Sequence, residues 1–141
     1  LGQGISRGEK MDFVVQKAVE LGVHAITPLQ TEFSNVALTG ERLDKRMKPW
    51  RGVIESAVKQ SGRTQVPSLY PLQRFSEWIG TPSRDGYVLD PAAGKPLTEV
   101  LPIARPYVLI GPEGGFSERE LQQATSVLTG VRLGPRILRT E

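Results

Sequence analysis

Apolar residues near the start of the chain recur at helical spacing: Met11, Val14, Val15, Ala18, Val19 and Leu21 fall along one face. Gly22 follows where a helix takes a glycine cap. Ala25–Leu29 is then a short apolar run closed by polar residues, which predicts a strand. A second stripe, Leu43, Met47, Trp50, Ile54, Ala57 and Ser61, alternates steps of four and three and marks another helix. Pro49 lies inside it. Proline removes a backbone donor and crowds the preceding turn, so a kink or restart is predicted there. The stretch 65–86 is rich in proline, serine and threonine; a strand near Val66–Tyr70 and a short helix around Phe75–Ile79 are predicted in it.

The last third is more regular. Tyr87-Val88-Leu89, Tyr107-Val108-Leu109-Ile110 and Val131-Arg132-Leu133 are short apolar runs, each halted by a nearby proline that cannot donate to a sheet ladder. Between the second and third, Ser117 and Glu120 have the spacing of a capping box, and Phe116 and Leu121 that of a hydrophobic staple. Strand, helix and strand in alternation predict an α/β fold with parallel strands joined by right-handed crossovers.

Parallel strands of this kind end on one edge of the sheet, where open α/β folds bind ligands. The segments Asp90-Pro91, Gly111-Pro112-Glu113-Gly114-Gly115 and Gly134-Pro135-Arg136 are therefore expected around one crevice. Gly111, Gly114 and Gly115 can take positive φ and expose bare backbone, whose donors and acceptors suit a purine edge. The same glycines also suit a plain strand-to-helix turn. Neither a Walker ending nor a G-x-G-x-x-G is present, and Glu113 would repel a phosphate, favouring a cationic or neutral ligand.

Composition narrows the chemistry. With 141 residues, 38% hydrophobic and 23% charged, the chain fits one soluble globular domain. It has no cysteine, which excludes disulfides and thiolate chemistry and suits the cytosol. His24 is the only histidine and has no triad context. No apolar run reaches the ~20 residues of a membrane span, and the start lacks the apolar core of a signal peptide. The net charge is +3, concentrated at Arg42, Lys45, Arg46, Lys48, Arg51, Lys59 and Arg63 against Glu41, Asp44 and Glu55. Such a run serves either as a solvated helix face or as a phosphate-contacting surface.

Five stretches carry a resemblance. They are Ser6-Arg7-Gly8-Glu9-Lys10-Met11, Gln16-Lys17-Ala18-Val19-Glu20-Leu21-Gly22-Val23, Gln60-Ser61-Gly62-Arg63, Gly111–Ser117 and Leu133–Glu141. In this order and spacing the chain resembles the small-subunit ribosomal RNA methyltransferase E (RsmE) family of the SPOUT superfamily, along essentially its whole length. The resemblance implies an α/β parallel-sheet SPOUT methyltransferase domain over residues 1–141, with a C-terminal trefoil knot. It further implies S-adenosylmethionine as cofactor, a homodimer, no metal, and a cytoplasmic enzyme that methylates N3 of a uridine in 16S rRNA of the small ribosomal subunit. Family members also carry an N-terminal PUA-like RNA-binding domain and a final helix completing the knot, which are expected to lie outside this chain.

By the same resemblance, the cofactor is held mostly by the backbone of three loops: Leu89, Asp90 and Pro91; Ile110, Gly111, Pro112, Glu113, Gly114 and Gly115; and Leu133, Gly134, Pro135, Ile137 and Leu138. Uridine N3 carries a proton at neutral pH, so a base and a cation near the uracil carbonyls are needed. Arg139 is the expected cation, with a dimer or phosphate contact as its alternative role. Glu141 is the expected base, or else a salt-bridge partner of Arg139. Glu113 is a second candidate base, or a hydrogen-bond acceptor for loop amides. Arg7, Lys10 and Arg63 are candidates for contact with rRNA, or else cap helices or sit in solvent. Competing readings are a SPOUT methyltransferase acting on tRNA or a ribose 2′-hydroxyl, and a non-catalytic RNA-binding module.

Overall fold

The first helix, α1 (Lys10–Glu20), buries Met11, Val14, Val15 and Val19 along one stripe and ends at Gly22, whose φ of +91° only glycine adopts without strain. The computed structural model describes residues 1–34, 41–81 and 85–140. Around α1 the chain runs β1 (Gly2–Gly4), α1, β2 (Ala25–Gln30), α2 (Glu41–Ser61), β3 (Ser68–Leu69), β4 (Gln73–Arg74), α3 (Phe75–Ile79) and β5 (Gly86–Leu89). A single 3₁₀ turn (Leu97–Glu99) precedes β6 (Tyr107–Ile110), α4 (Glu118–Thr125) and β7 (Thr129–Val131).

Among the described residues the strands form one sheet in the order β3-β2-β1-β6-β5-β7, with β4 also pairing β2, and every pairing is parallel. The α/β parallel-sheet expectation is thereby met. Ile26 and Leu29 of β2 lie three positions apart and so point to opposite faces of the sheet. Ile26 packs with Met11, Val15 and Val19 of α1 and with Trp50 and Ile54 of α2. Leu29 packs with Phe75 and Trp78 of α3, Ala124 of α4, and Val88 and Leu109. Two cores result, one on each face.

Two prolines test the local rules. Pro49 does not restart α2, which runs as one helix through it; Pro49 is exposed while Met47 and Trp50 beside it are buried on the α1 stripe. Packing of that stripe holds the helix together across the missing donor. Pro28 lies inside β2, yet Thr27 donates to the Leu1 carbonyl on the β1 side, so the Pro28 nitrogen faces the other way. On that side β3 pairs Ala25 and Ile26 while β4 pairs Leu29 and Gln30. The missing N–H therefore meets a break between two short strands.

The remaining boundaries shift slightly. The strand expected over Val66–Tyr70 is Ser68–Leu69, and the last apolar run forms Thr129–Val131 rather than Val131–Leu133. Arg132 leaves the β5 ladder because its backbone pairs with Lys95 and Leu97 instead. The capping box at α4 is present: Ser117 Oγ accepts from Glu120 N at 3.3 Å, and Ser117 N donates to the Glu120 carboxylate at 3.0 Å. No described helix is long and apolar enough to cross a membrane.

Candidate active site

Because β6, β5 and β7 are adjacent and parallel, their carboxyl ends at Ile110, Leu89 and Val131 lie side by side. The segments following them begin on one edge, and hydrogen bonds tie them to one another. Asp90 N donates to the Val131 carbonyl at 2.9 Å. Arg132 exchanges backbone bonds with Lys95 and Leu97, each 3.0 Å, and its guanidinium donates to the Ala93 and Gly94 carbonyls. Thr140 Oγ1 donates to the Gly111 carbonyl, bringing the far end of the third segment back to the second.

Gln3 closes the arrangement from the neighbouring strand. It is fully buried in β1, and its Nε2 is shared between the carbonyls of Gly4 (3.0 Å) and Gly111 (3.3 Å) and the Thr140 hydroxyl (3.4 Å). Gly4 permits the approach: a Cβ there would lie 2.5 Å from Pro112 Cδ and 2.6 Å from Pro112 N. Of the three glycines after β6, only Gly115 takes positive φ (+70°), at the close of a turn in which its N–H donates to the Pro112 carbonyl at 2.8 Å. Gly111 and Gly114 serve close approach instead, Gly111 to Gly115 and Gly114 to Phe33. The third segment has its own left-handed glycine, Gly134, at φ +88°.

The turn after β1 borders the same edge. Glu113 accepts a hydrogen bond from Arg7 N at 3.1 Å and pairs with Lys10 Nζ at 3.4 Å. Partial burial opposes its ionisation. Its own backbone N–H, that of Arg7, and Lys10 outweigh this and hold the carboxyl below its ordinary value. A carboxylate held in that way is a poor proton acceptor, so the geometry favours the loop-amide role of Glu113 over that of a base. With a depressed pKa, the tie is fully present above the ordinary carboxylate range and is lost as pH falls through the folded-state value. The melting temperature of the wild type should therefore exceed that of Glu113→Gln at neutral pH, by no more than about 1 kcal/mol in stability for so exposed a pair. The gap should close on acidification below about pH 4.5. Melting curves across pH with a constant gap would refute this.

Arg7 and Lys10 thus stand together at the carboxyl edge, and Arg63 does not. Arg63 lies at the other end of α1, where its Nη1 donates to the Val19 carbonyl at 2.8 Å. Lys45, Lys48, Arg51 and Lys59 of the basic run are exposed on α2, whereas the side chains of Arg42 and Arg46 fall outside the described set. His24 precedes β2 at the opposite edge of the sheet and is exposed. Leu133–Arg139 are all exposed, and Arg139 precedes Thr140, the residue whose hydroxyl bonds to Gly111. Glu141 lies outside the described residues.

A sequence model of the RNA methyltransferase domain matches residues 1–141. The chain belongs to this family. It is 37% identical over 146 residues to the ribosomal RNA small subunit methyltransferase E of Buchnera aphidicola subsp. Schizaphis graminum, covering 100% of this chain and 59% of the relative. The protein of the same name from Bacillus subtilis is 30% identical over 158 residues, with 100% and 60% covered. The chain thus spans about three-fifths of these relatives' length. Among solved structures it is similar to the ribosomal RNA small subunit methyltransferase E of Neisseria gonorrhoeae bound to S-adenosyl methionine, with a TM-score of 0.89, 38% identity, and 99% of this chain and 58% of that chain covered. A Legionella pneumophila protein in complex with the bound cofactor SAM gives a TM-score of 0.91 at 37% identity, covering 99% and 59%. The resemblance to the RsmE family read from the five stretches is borne out.

For a member of the RNA methyltransferase domain family, several structural residues of the crevice escaped the sequence reading. Gln3, Arg132 and Thr140 bind the loops to one another, and Glu120 extends its capping role by accepting Glu32 N on its second oxygen at 2.9 Å. A lone glutamine between two glycines in a strand was the one visible hint. The others pair across 29 to 88 positions and leave no local pattern.

Proposed function

We propose that this chain is the catalytic domain of an S-adenosylmethionine-dependent methyltransferase acting on N3 of a uridine in 16S rRNA of the small ribosomal subunit. The observation that carries the reading is the crevice itself: three segments from adjacent parallel strands, cross-tied by Arg132, Thr140 and Gln3. The names and bound cofactor of its relatives support it.

The residues fit the cofactor. A Cβ built at Gly115 or Gly134 would project into open space, with no atom within 4 Å, so a ligand can approach the backbone of both. Leu133, Ile137 and Leu138 present exposed apolar surface beside them, 46%, 85% and 54% accessible, suited to covering an adenine ring. Leu89–Pro91, Ile110–Gly115 and Leu133–Leu138 would hold it, chiefly by backbone. S-adenosylmethionine, when bound, supplies a methyl group on a positively charged sulfur.

The chain's own residues then supply orientation and charge. Arg139 is assigned the stabilisation of negative charge on the uracil carbonyls as N3 loses its proton, its guanidinium being always charged. Glu141 is the assigned base, since Glu113 is held as a carboxylate by Lys10 and the Arg7 amide. Arg7 and Lys10 make phosphate contacts, whereas the bond from Arg63 to Val19 gives Arg63 a helix-capping part.

The reading includes a trefoil knot and a homodimer in the cytoplasm. Supporting the knot, the segment after β7 pairs with Lys95 and Leu97 in the β5–β6 connection and then returns to Gly111. Supporting the dimer, a groove of about 790 Å³ lined in part by Val14, Leu21, Val23 and Pro106 leaves apolar surface between α1 and β6.

The test is calorimetric titration with S-adenosylmethionine, followed by incubation with unmethylated small subunits and mass spectrometry of nucleosides from their RNA. Binding on the order of micromolar and a 3-methyluridine product are expected. A ribose-methylated product, or cofactor binding without any methylated nucleoside, would overturn the assignment.

A further inference from the structure

Phe33 stands at the carboxyl edge of the sheet with no part in the chemistry so far described. It is 45% exposed, yet its backbone is pinned. Thr31 N donates to Ser34 Oγ at 3.0 Å and Ser34 N returns a bond to the Thr31 carbonyl at 3.1 Å. Between them Glu32 N donates to the carboxylate of Glu120, itself 7% exposed on α4. The base of the side chain rests against Gly114, where an added Cβ would lie 3.1 Å from Phe33 Cβ. An aromatic ring is thus anchored rigidly by its root while much of its surface faces solvent. Phe13, equally exposed, is accounted for differently, since the Lys17 ammonium lies 5.6 Å from its ring centroid.

Sheet order decides which side of the crevice Phe33 serves. The Gly111–Gly115 segment issues from β6, the segments at Leu89 and Leu133 from β5 and β7 on one side of it, and the turns after β1 and β2 from the other. Those turns carry Arg7 and Phe33, and the helix that follows the first of them opens with Lys10. Glu113, one residue before the glycine that Phe33 touches, holds the Arg7 backbone and the Lys10 ammonium. An aromatic face beside cations is how proteins receive unpaired nucleotides, the ring stacking on a base and the cations meeting phosphates.

We infer that the ring of Phe33 is a platform on which a base flanking the target in single-stranded RNA stacks, across the Gly111–Gly115 segment from the cofactor. This rests on the methyl-transfer reading above. The reacting base itself must reach the methyl group, and Phe33 would hold its neighbour on the side of the turns after β1 and β2.

Two variants of the full chain test it. Phe33→Ala should raise KM for small subunits roughly tenfold to a hundredfold, the usual loss for one base–aromatic stack. Its kcat and its calorimetric affinity for S-adenosylmethionine should change little. Phe33→Trp should keep activity and add a solvent-facing indole, because Trp50 and Trp78 are buried at 1% and 2% exposure. Its emission should be quenched when a uridine-rich single-stranded oligonucleotide binds. Unchanged KM in Phe33→Ala, a parallel loss of cofactor affinity marking a mere loop-packing role, or oligonucleotide binding without quenching would each overturn the platform. Quenching in a protein that transfers no methyl group would instead support the platform and refute the catalytic reading.

Discussion

Replacing Arg139 by alanine is expected to slow methyl transfer about a hundredfold to a thousandfold, the loss that follows removal of one preorganised donor to developing negative charge. Affinity for S-adenosylmethionine should be unchanged. Arg139 adjoins Thr140, whose hydroxyl is fixed on the Gly111 carbonyl, and this tie holds the backbone beside Arg139 at the seam between the second and third loops. Its side chain is exposed, so its removal empties no space in either core. Stability should therefore hold. Arg139→Lys should recover only part of the rate, because a compact ammonium cannot reproduce the planar, delocalised guanidinium and its fixed donors at a uracil carbonyl oxygen. Single-turnover rates with unmethylated small subunits, beside calorimetric cofactor titrations, separate the terms. A variant with wild-type rate would show that Arg139 serves another contact; one that loses cofactor binding would make it a loop-folding residue.

The second large effect is structural and comes from Gly86. This residue opens β5 opposite Tyr107, and a Cβ there would lie 1.9 Å from the Tyr107 carbonyl oxygen and 2.7 Å from its nitrogen. Backbone on both sides leaves no side chain to swing aside, so β5 and β6 would have to separate. Those two strands align the Leu89 and Ile110 ends, and their separation would disperse the crevice as well as the core. Gly86→Ala should destabilise the domain by roughly 3 kcal/mol, at the upper end of overpacking costs. The melting temperature should fall by about 10 °C. Gly52→Ala supplies the contrast: it lies in α2 with no atom within 4 Å of the added Cβ and should be neutral or stabilising by up to about 1 kcal/mol. Equal melting temperatures for the two variants would mean that β5 and β6 do not pair as described.

The expectations met by the structure share a property, and so do those that were not. Helix α1 and its end at Gly22, the short helix Phe75–Ile79 and the Ser117–Glu120 box all depend on residues within a turn or two of one another. So does the alternation of strand and helix that implied parallel strands and a shared edge for Asp90, Gly111 and Gly134. Pro49 departed from the rule because its penalty is local, while the Trp50 and Ile54 packing that overrides it comes from α1. Gly111 and Gly114 were candidates for positive φ on composition alone, but a glycine is equally needed where another segment comes close, and only the neighbour's position distinguishes the two uses.

Read alone, the residues were enough for the layered α/β class, the family, and the three loops that end the last strands, since periodicity, caps and motif spacing are local properties of a chain. Folding in three dimensions settled what sits beside what. Arg63 went to the Val19 carbonyl at the far end of α1, Lys10 to Glu113, Gln3 to Gly111 across 108 positions, and Phe33 to the outer side of Gly114. Such contacts follow from strand order, and strand order follows from which apolar faces can be buried together, a collective choice that no short stretch of chain encodes.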